Sequence, residues 1–268
     1  MKPERDILVV DDEDVITQAV VRVCGAGGMS VDVAESAAAA TERLKRSVYR
    51  LIICDVMMAD VDGFEFLSEL GRAGVRTPVI MSTGMSTVEN AVKALYSGAI
   101  DFIPKPFTAD ELLTAVHRGF AYARLQESAM AVTAGGSAES FVYVPCPPKY
   151  FRLGYASWVN VEGSGTVLTG VSDLFLKTID TVAGVALVSV DEEVVQGSSC
   201  ATITSADGLA HGVLCPVSGR IVEVNHGLES APAVMERDPY FEGWLYRVLP
   251  SELEYDLRHL TSCSSDRM

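Results

Sequence analysis

Asp11, Asp12, Asp55, Thr83 and Lys105 are the residues whose types and placement could do chemistry together. Each follows a short apolar run that reads as a strand: Asp11 and Asp12 follow Ile7–Val10, and Asp55 follows Leu51–Cys54. Thr83 follows the run Pro78–Met81, and Lys105 follows Ile100–Ile103. In parallel α/β sheets, functional residues gather beyond the carboxyl ends of the strands, so these groups converge on one edge. Three crowded carboxylates repel one another and require a cation. Oxygen-only ligands favour a hard divalent ion, and Mg2+ suits an open site completed by water and phosphate oxygens. A carboxylate in such a site can act as a nucleophile and form an acyl phosphate. Phosphoryl transfer is mainly positioning and charge neutralisation. The Lys105 ammonium supplies positive charge, and the Thr83 hydroxyl can donate a hydrogen bond to a phosphoryl oxygen.

The elements that position these residues follow from the apolar rhythm. Ser30–Ala34 adds a further strand, and helical spacing fills the intervals; Leu112, Leu113, Val116 and Phe120 mark one face of the last helix. Thr108 with Glu111 forms a capping box before it. Five strands alternating with five helices imply right-handed crossovers and an α/β, doubly wound parallel sheet over residues 1–127. Residues 128–140 are small and polar and read as a flexible linker. From 141 to 260 the rhythm changes to short β-type runs between turn signals, among them Trp158–Val161, Thr166–Gly170, Val185–Val190, Cys200–Thr204, Gly212–Cys215 and Arg220–Val224. One helical stretch, Ser172–Thr181, interrupts them, and residues 261–268 form a C-terminal tail.

Composition removes several classes of function. A chain of 268 residues suggests two domains at roughly 100–200 residues each. A net charge of −15 argues against nucleic acid and anionic lipid as partners. Both halves are acidic, and the second lacks a helix-turn-helix pattern and a basic recognition helix. Six dispersed cysteines without C-x-x-C spacing argue against zinc, and Cys54 reads as a buried small hydrophobe. No signal peptide and no run of about 18 apolar residues is visible, so the expected compartment is the cytoplasm and no membrane is involved.

The stretches Ile7-Leu-Val-Val-Asp-Asp-Glu13, Asp55-Val-Met-Met-Ala-Asp-Val-Asp-Gly63, Pro78-Val-Ile-Met-Ser-Thr-Gly84 and Gly98-Ala-Ile-Asp-Phe-Ile-Pro-Lys-Pro-Phe107 resemble a receiver domain of two-component signalling. The resemblance covers residues 1 to about 124 and implies a flavodoxin-like five-stranded fold. It implies that Asp55 is the phospho-acceptor, and that Asp11, Asp12, Asp55 and the backbone carbonyl of Met57 hold Mg2+. It also implies that Thr83 and Phe102 form a switch pair, and that Lys105 precedes Pro106 at a bond often held in cis. One departure stands out: the family usually has proline where this chain has Ala59. Asp60 and Asp62 read as solvated loop residues, with Asp62 helping to cap the next helix.

Residues from about 141 to 258 resemble the glycine-cleavage H protein through Trp158-Val-Asn-Val-Glu-Gly163, Thr169-Gly-Val-Ser-Asp173, Pro216-Val-Ser-Gly219, Val222-Glu-Val-Asn225, Leu228-Glu-Ser-Ala-Pro232 and Asp238-Pro-Tyr-Phe-Glu-Gly-Trp-Leu245. The resemblance implies a lipoyl-type fold, two small antiparallel sheets forming a flattened β-barrel. Trp158 and Trp244 read as core, and Gly163, Gly165, Gly197 and Gly219 as turn formers. The family carries lipoate on a lysine at a hairpin tip, about eight residues before a proline. Counting back from Pro216 lands on Gly208, and the only lysines of this half are Lys149 and Lys177. Lipoate is joined to a lysine amine, so the expectation is no lipoylation and no lipoate cofactor. His211 and His226 read as surface or turn residues, and opposing strands bring Cys200 near Cys215.

Together these readings describe a non-metabolic response regulator. A sensor histidine kinase or phosphotransfer protein modifies Asp55 with Mg2+, and the H-like domain serves as the protein-binding output. A homodimer through the receiver is a further expected contact. The alternatives are a phospho-controlled mimic or regulator of lipoate or glycine-cleavage enzymes, and a phosphate sink.

Overall fold

The computed structural model describes residues 4–59, 61–85, 87–133 and 143–264, and within them the chain divides into two compact units. In the first, β1 (Glu4–Val10), β2 (Val31–Ala34), β3 (Val48–Asp55), β4 (Val79–Thr83) and β5 (Asp101–Pro104) alternate with α1 (Asp14–Ala26), α2 (Ala37–Arg46), α3 (Gly63–Arg72), α4 (Val88–Tyr96) and α5 (Ala109–Thr133). The strands form one parallel sheet in the order β2-β1-β3-β4-β5. This is the doubly wound, flavodoxin-like order expected from the sequence. The central strands are covered on both faces, so they read as continuous apolar runs: Ile7–Val10, Leu51–Cys54 and Val79–Met81 are all buried.

Helix starts follow from side chains that satisfy free amides. Ser36 Oγ accepts from Ala39 N, and Asp62 Oδ1 accepts from Phe64 N at 2.7 Å. Thr108 and Glu111 close the reciprocal box, with Glu111 Oε2 accepting from Thr108 N at 2.7 Å and Thr108 Oγ1 accepting from Glu111 N at 3.2 Å. On α5, Leu112, Val116 and Phe120 are buried and Leu113 is half-buried. The helix runs on to Thr133, so residues 128–133 continue it rather than begin a linker. Alanine and methionine in that stretch are good helix formers, which outweighs the small-residue signal. The rest of the expected linker, residues 134–140, lies outside the described residues.

The second unit contains β6 (Phe151–Leu153), β7 (Ser157–Val161), β8 (Val167–Val171), β9 (Val182–Leu187), β10 (Glu193–Val194), β11 (Ser199–Ser205), β12 (Ala210–Leu214), β13 (Gly219–Val224), β14 (Trp244–Pro250) and β15 (Thr261–Ser262). Short helices α6 (Asp173–Leu176), α7 (Gly227–Ser230), α8 (Val234–Arg237) and α9 (Leu253–Leu257) join them. Seven strands form one antiparallel sheet, β10-β13-β14-β8-β7-β6-β15, and three form another, β12-β11-β9. The helical stretch expected over Ser172–Thr181 is only the single turn of α6, capped where Ser172 Oγ accepts from Phe175 N. Thr261 and Ser262, at the start of the expected C-terminal tail, pair with β6, and Cys263 beside them is buried. Trp158 is fully buried among Cys146, Tyr150, Tyr240 and Cys263, with Leu168 and Trp244 packed against this cluster. Its indole N–H lies 3.0 Å from the Val171 carbonyl and 3.2 Å from that of Pro239, which satisfies its one donor.

Gly63 deserves its place at the start of α3 for a steric reason. A Cβ there would lie 2.1 Å from the Asp55 carbonyl oxygen and 2.9 Å from Val56 Cα, and the Gly63 N–H donates to Val56 O at 2.9 Å. The helix thus abuts the backbone that carries Asp55. Gly63→Ala is expected to destabilise the first unit by about 1–3 kcal/mol. The measurement is denaturant unfolding followed by circular dichroism, in which the midpoint of that unit's transition should fall.

Candidate functional site

Asp11 follows β1, Asp55 ends β3, Thr83 ends β4 and Lys105 follows β5, and backbone hydrogen bonds tie the ends of β3, β4 and β5 together. Val56 N donates to Ser82 O at 2.8 Å, and Lys105 N donates to Thr83 O at 2.8 Å. The expected convergence is therefore present. Lys105 Nζ lies 2.8 Å from Asp11 Oδ2, 2.9 Å from Glu13 Oε1 and 3.2 Å from Asp55 Oδ1. Asp11, Asp55 and the Lys105 side chain are buried, whereas Asp12 and Glu13 are exposed.

Burial raises the Asp11 carboxyl above its ordinary value, against the opposing pull of its hydrogen bond to Lys105. Burial alone would lower Lys105, but its hydrogen bonds to Asp11 and Glu13 prevail and hold it above its ordinary value. The ammonium is therefore fixed as a cation among carboxylates.

Thr83 is fully buried, and its Oγ1 accepts from Met85 N at 3.1 Å. Phe102 is half-buried on β5, and Met57 stands two residues beyond Asp55 with an exposed side chain. The Lys105–Pro106 bond is cis. Asp62 caps α3, while Asp60 lies outside the described residues.

Ligand oxygens of Asp11, Asp12 and Asp55 lie within 4.8 Å of one another. Asp55 Oδ1 is buried and receives no hydrogen bond; its contact with Lys105 at 3.2 Å is an ion pair only. An all-oxygen set with a free buried lone pair fits a hard divalent cation. Two groups were not visible as site residues in the sequence. Ala59 N donates to Asp12 Oδ2 at 3.0 Å, a bond that the proline usual at this position could not make. Glu13 reaches Lys105, and only its adjacency to Asp11 and Asp12 hinted at that.

In the second unit, β11 and β12 form a hairpin whose turn is Ala206–Leu209. Gly208 sits at its tip with φ +85, the left-handed conformation that glycine adopts without strain. Below it, buried Ser205 Oγ lies 2.9 Å from His211 Nε2 and also donates to Asp207 Oδ1. Asp207 Oδ1 accepts from Leu209 N at 3.2 Å, closing the turn. His211, expected at the surface or in a turn, is thus a buried strand residue, because Ser205 offers it a partner. His226 is exposed beside Glu229. Cys200 and Cys215 are buried free cysteines; Cys200 Sγ donates to Val213 O at 3.5 Å and Cys215 Sγ to Val217 O at 3.1 Å.

Comparison with known proteins places both units. The family model "Response regulator receiver domain" matches residues 7–117, and "Glycine cleavage H-protein" matches residues 149–265. The probable glycine cleavage system H protein of Thermococcus kodakarensis is 39% identical over 103 residues, covering 38% of this chain and 75% of that protein. Transcriptional regulatory protein ZraR of Klebsiella oxytoca is 38% identical over 131 residues, covering 48% of this chain but only 29% of that protein. Among solved structures, the receiver domain of NtrX from Brucella abortus is 35% identical with a TM-score of 0.42, covering 43% of this chain and 98% of that one. The glycine cleavage system H protein of Mycobacterium marinum is 31% identical with a TM-score of 0.37, covering 40% of this chain and 87% of that one. Among the described residues, no helix is long and apolar enough to cross a membrane.

Removing one carboxylate should weaken cation binding at the cluster. Asp12→Asn is expected to lower Mg2+ affinity about tenfold or more while leaving the buried Asp11–Lys105 pair intact. Isothermal titration with MgCl2 measures it; unchanged affinity would place the cation elsewhere.

Proposed function

The chain belongs to two families, joining a response regulator receiver domain to a glycine cleavage H-protein domain, and from that premise we propose a phosphorelay regulator whose output is protein binding. Asp55 is the acceptor. The observation that carries this reading is the buried ion pair between Lys105 and Asp55, beside an oxygen cluster suited to Mg2+. A carboxylate oxygen of Asp55 attacks the phosphorus of a phosphohistidine. The phosphorus–nitrogen bond breaks, the imidazole leaves with the electron pair, and an acyl phosphate forms. Mg2+, when bound by Asp11, Asp12, Asp55 and the Met57 carbonyl, neutralises charge on the transferred group. Lys105 keeps a fixed positive charge 3.2 Å from the acceptor oxygen, so little reorganisation is needed there. The Thr83 hydroxyl, whose oxygen accepts from Met85 N, turns its own O–H toward a phosphoryl oxygen, and Phe102 moves inward with it. The resulting change at the α4-β5-α5 face biases binding to another receiver or to the output domain. The protein has no metabolic activity in this reading; transfer to Asp55 and slow hydrolysis are its only chemistry.

The H-like domain serves as an unlipoylated binding module. Support comes from the hairpin, where Gly208 occupies the tip and Ser205, Asp207 and His211 tie the turn down. No amine is available there for an amide bond to lipoate. A second reading is favoured by the 39% identity to a probable glycine cleavage H protein. In it, the domain docks on lipoate or glycine-cleavage enzymes as a phospho-controlled mimic. Capture of such an enzyme only by the phosphorylated chain would select it. A phosphate sink is left if no partner depends on phosphorylation. The cytoplasm is the compartment that suits a kinase-fed regulator.

Asp55→Asn is expected to abolish labelling by acetyl phosphate with Mg2+, whereas Asp60→Asn should label normally. Persistent labelling of Asp55→Asn in intact-mass spectra would mean the acceptor is another residue. Expression beside a lipoylation system should leave the mass of the chain unaltered, and a lipoyl adduct would overturn the binding-module reading.

A further inference from the structure

One charged group in the acidic pocket lies outside both the carboxylate cluster and the acceptor. Glu13 occupies the N-cap position of α1, yet its side chain makes no capping hydrogen bond. Its Oε1 instead accepts from Lys105 Nζ at 2.9 Å. The two partners differ in setting: the Lys105 side chain is 6% exposed, and that of Glu13 is 60% exposed. An ammonium has three donors and no acceptor. Asp11 and Glu13 take the short contacts, and the contact to Asp55 is the longest. The pocket therefore sets four carboxylates (Asp11, Asp12, Glu13 and Asp55) against one ammonium, a formal charge of −4 + 1 = −3. Asp11, Asp12 and Asp55 can share a divalent cation, whereas Glu13 is not part of that cluster. Its charge stays opposed to an incoming phosphoryl anion even when a cation is bound.

We propose that Glu13 is a positioning residue that slows phosphorylation by competing with the arriving phosphoryl group for Lys105. This rests on Asp55 being the acceptor. As a phosphoryl oxygen approaches Asp55, one of the Lys105 contacts must be exchanged for it. The contact to Glu13 gives way most easily, because a solvated carboxylate regains water at once, while the buried Asp11 would lose its cation and keep only the Glu13 N–H as a donor. Glu13 forms and breaks no covalent bond. With acetyl phosphate, the bond from an Asp55 oxygen to phosphorus forms, the bond from phosphorus to the acetyl oxygen breaks, and acetate leaves with the electron pair.

The experiment uses the full chain, acetyl phosphate over a range of concentrations, and saturating Mg2+. Glu13→Gln keeps the size and an acceptor oxygen but removes the charge. Its labelling rate should rise about two- to fivefold, the range of an exposed ion pair. The gain should show as a lower half-saturating donor concentration and should shrink as salt is added. Glu13→Asp restores the charge and should label close to the wild-type rate. An unchanged or slower rate in Glu13→Gln, with an unchanged melting temperature, overturns the proposal; so does an equal gain in Glu13→Asp. If Glu13→Gln melts early, the salt dependence and the Glu13→Asp comparison decide in the same way. Labelling that persists in Asp55→Asn sinks the acceptor assignment instead, so the two failures are told apart.

Discussion

The first unit depends on one cation held among carboxylates. Lys105 is buried, and a buried ammonium is costly unless its donors are filled. Asp11 and Glu13 take two of its three donors, the Asp55 carboxylate lies 3.2 Å away, and together these outweigh desolvation, so the charge persists. Removing one partner of a buried pair leaves an uncompensated charge, a loss of about 3–5 kcal/mol in such cases. The sheet must therefore deliver β1, β3 and β5 to the same edge with little latitude. Register does this: Ile53 pairs with Ile80 and with Val9, Asp55 with Ser82, and Thr83 with Pro104, so the polar residues emerge together at, or one residue past, the last paired positions.

In the second unit the corresponding constraint is the satisfaction of buried polar groups. Ser205 and His211 lie on adjacent strands near a hairpin tip, where an unpaired hydroxyl or imidazole would be penalised. Their mutual contact, with Asp207 bonded to the same hydroxyl, removes that penalty and fixes the turn. A turn held this way presents a defined backbone shape rather than a mobile side chain. That is the physical basis for reading the domain as a surface to be recognised.

Much of this was legible in the sequence. Short apolar runs marked all five parallel strands, and those of β1, β3 and β4 are unbroken because the central strands are buried on both faces. The site residues were legible because each lies within two residues of the end of such a run. Elements whose stability comes from distant pairing were not. The strands β6, β10 and β15 are only two or three residues long, and no local period marks them. Strand β14 was hidden in the segment Trp244–Pro250, where a charged residue and a proline dilute the pattern. The helix over 172–181 was overestimated because β-branched Thr178, Ile179 and Thr181 weaken a helix that apolar spacing alone would extend. His211 was misplaced because its partner is six residues away, across a turn.

The least legible part of the site is its backbone. Ala59 was noted only as a departure from proline, a loop detail without chemical content. In three dimensions the difference is an N–H, and it points at Asp12. Asp12 is the exposed member of the carboxylate cluster, so it is the one whose position solvent would otherwise leave loose. Gly63 acts on the same segment from the opposite end, where its missing Cβ lets α3 close against the Asp55 carbonyl. A backbone donor at Ala59 and an absent side chain at Gly63 thus act on the described part of the segment that follows Asp55. Neither can be seen by asking which side chains could do chemistry. Both follow once the position of every buried or coordinating oxygen is required to have a physical cause.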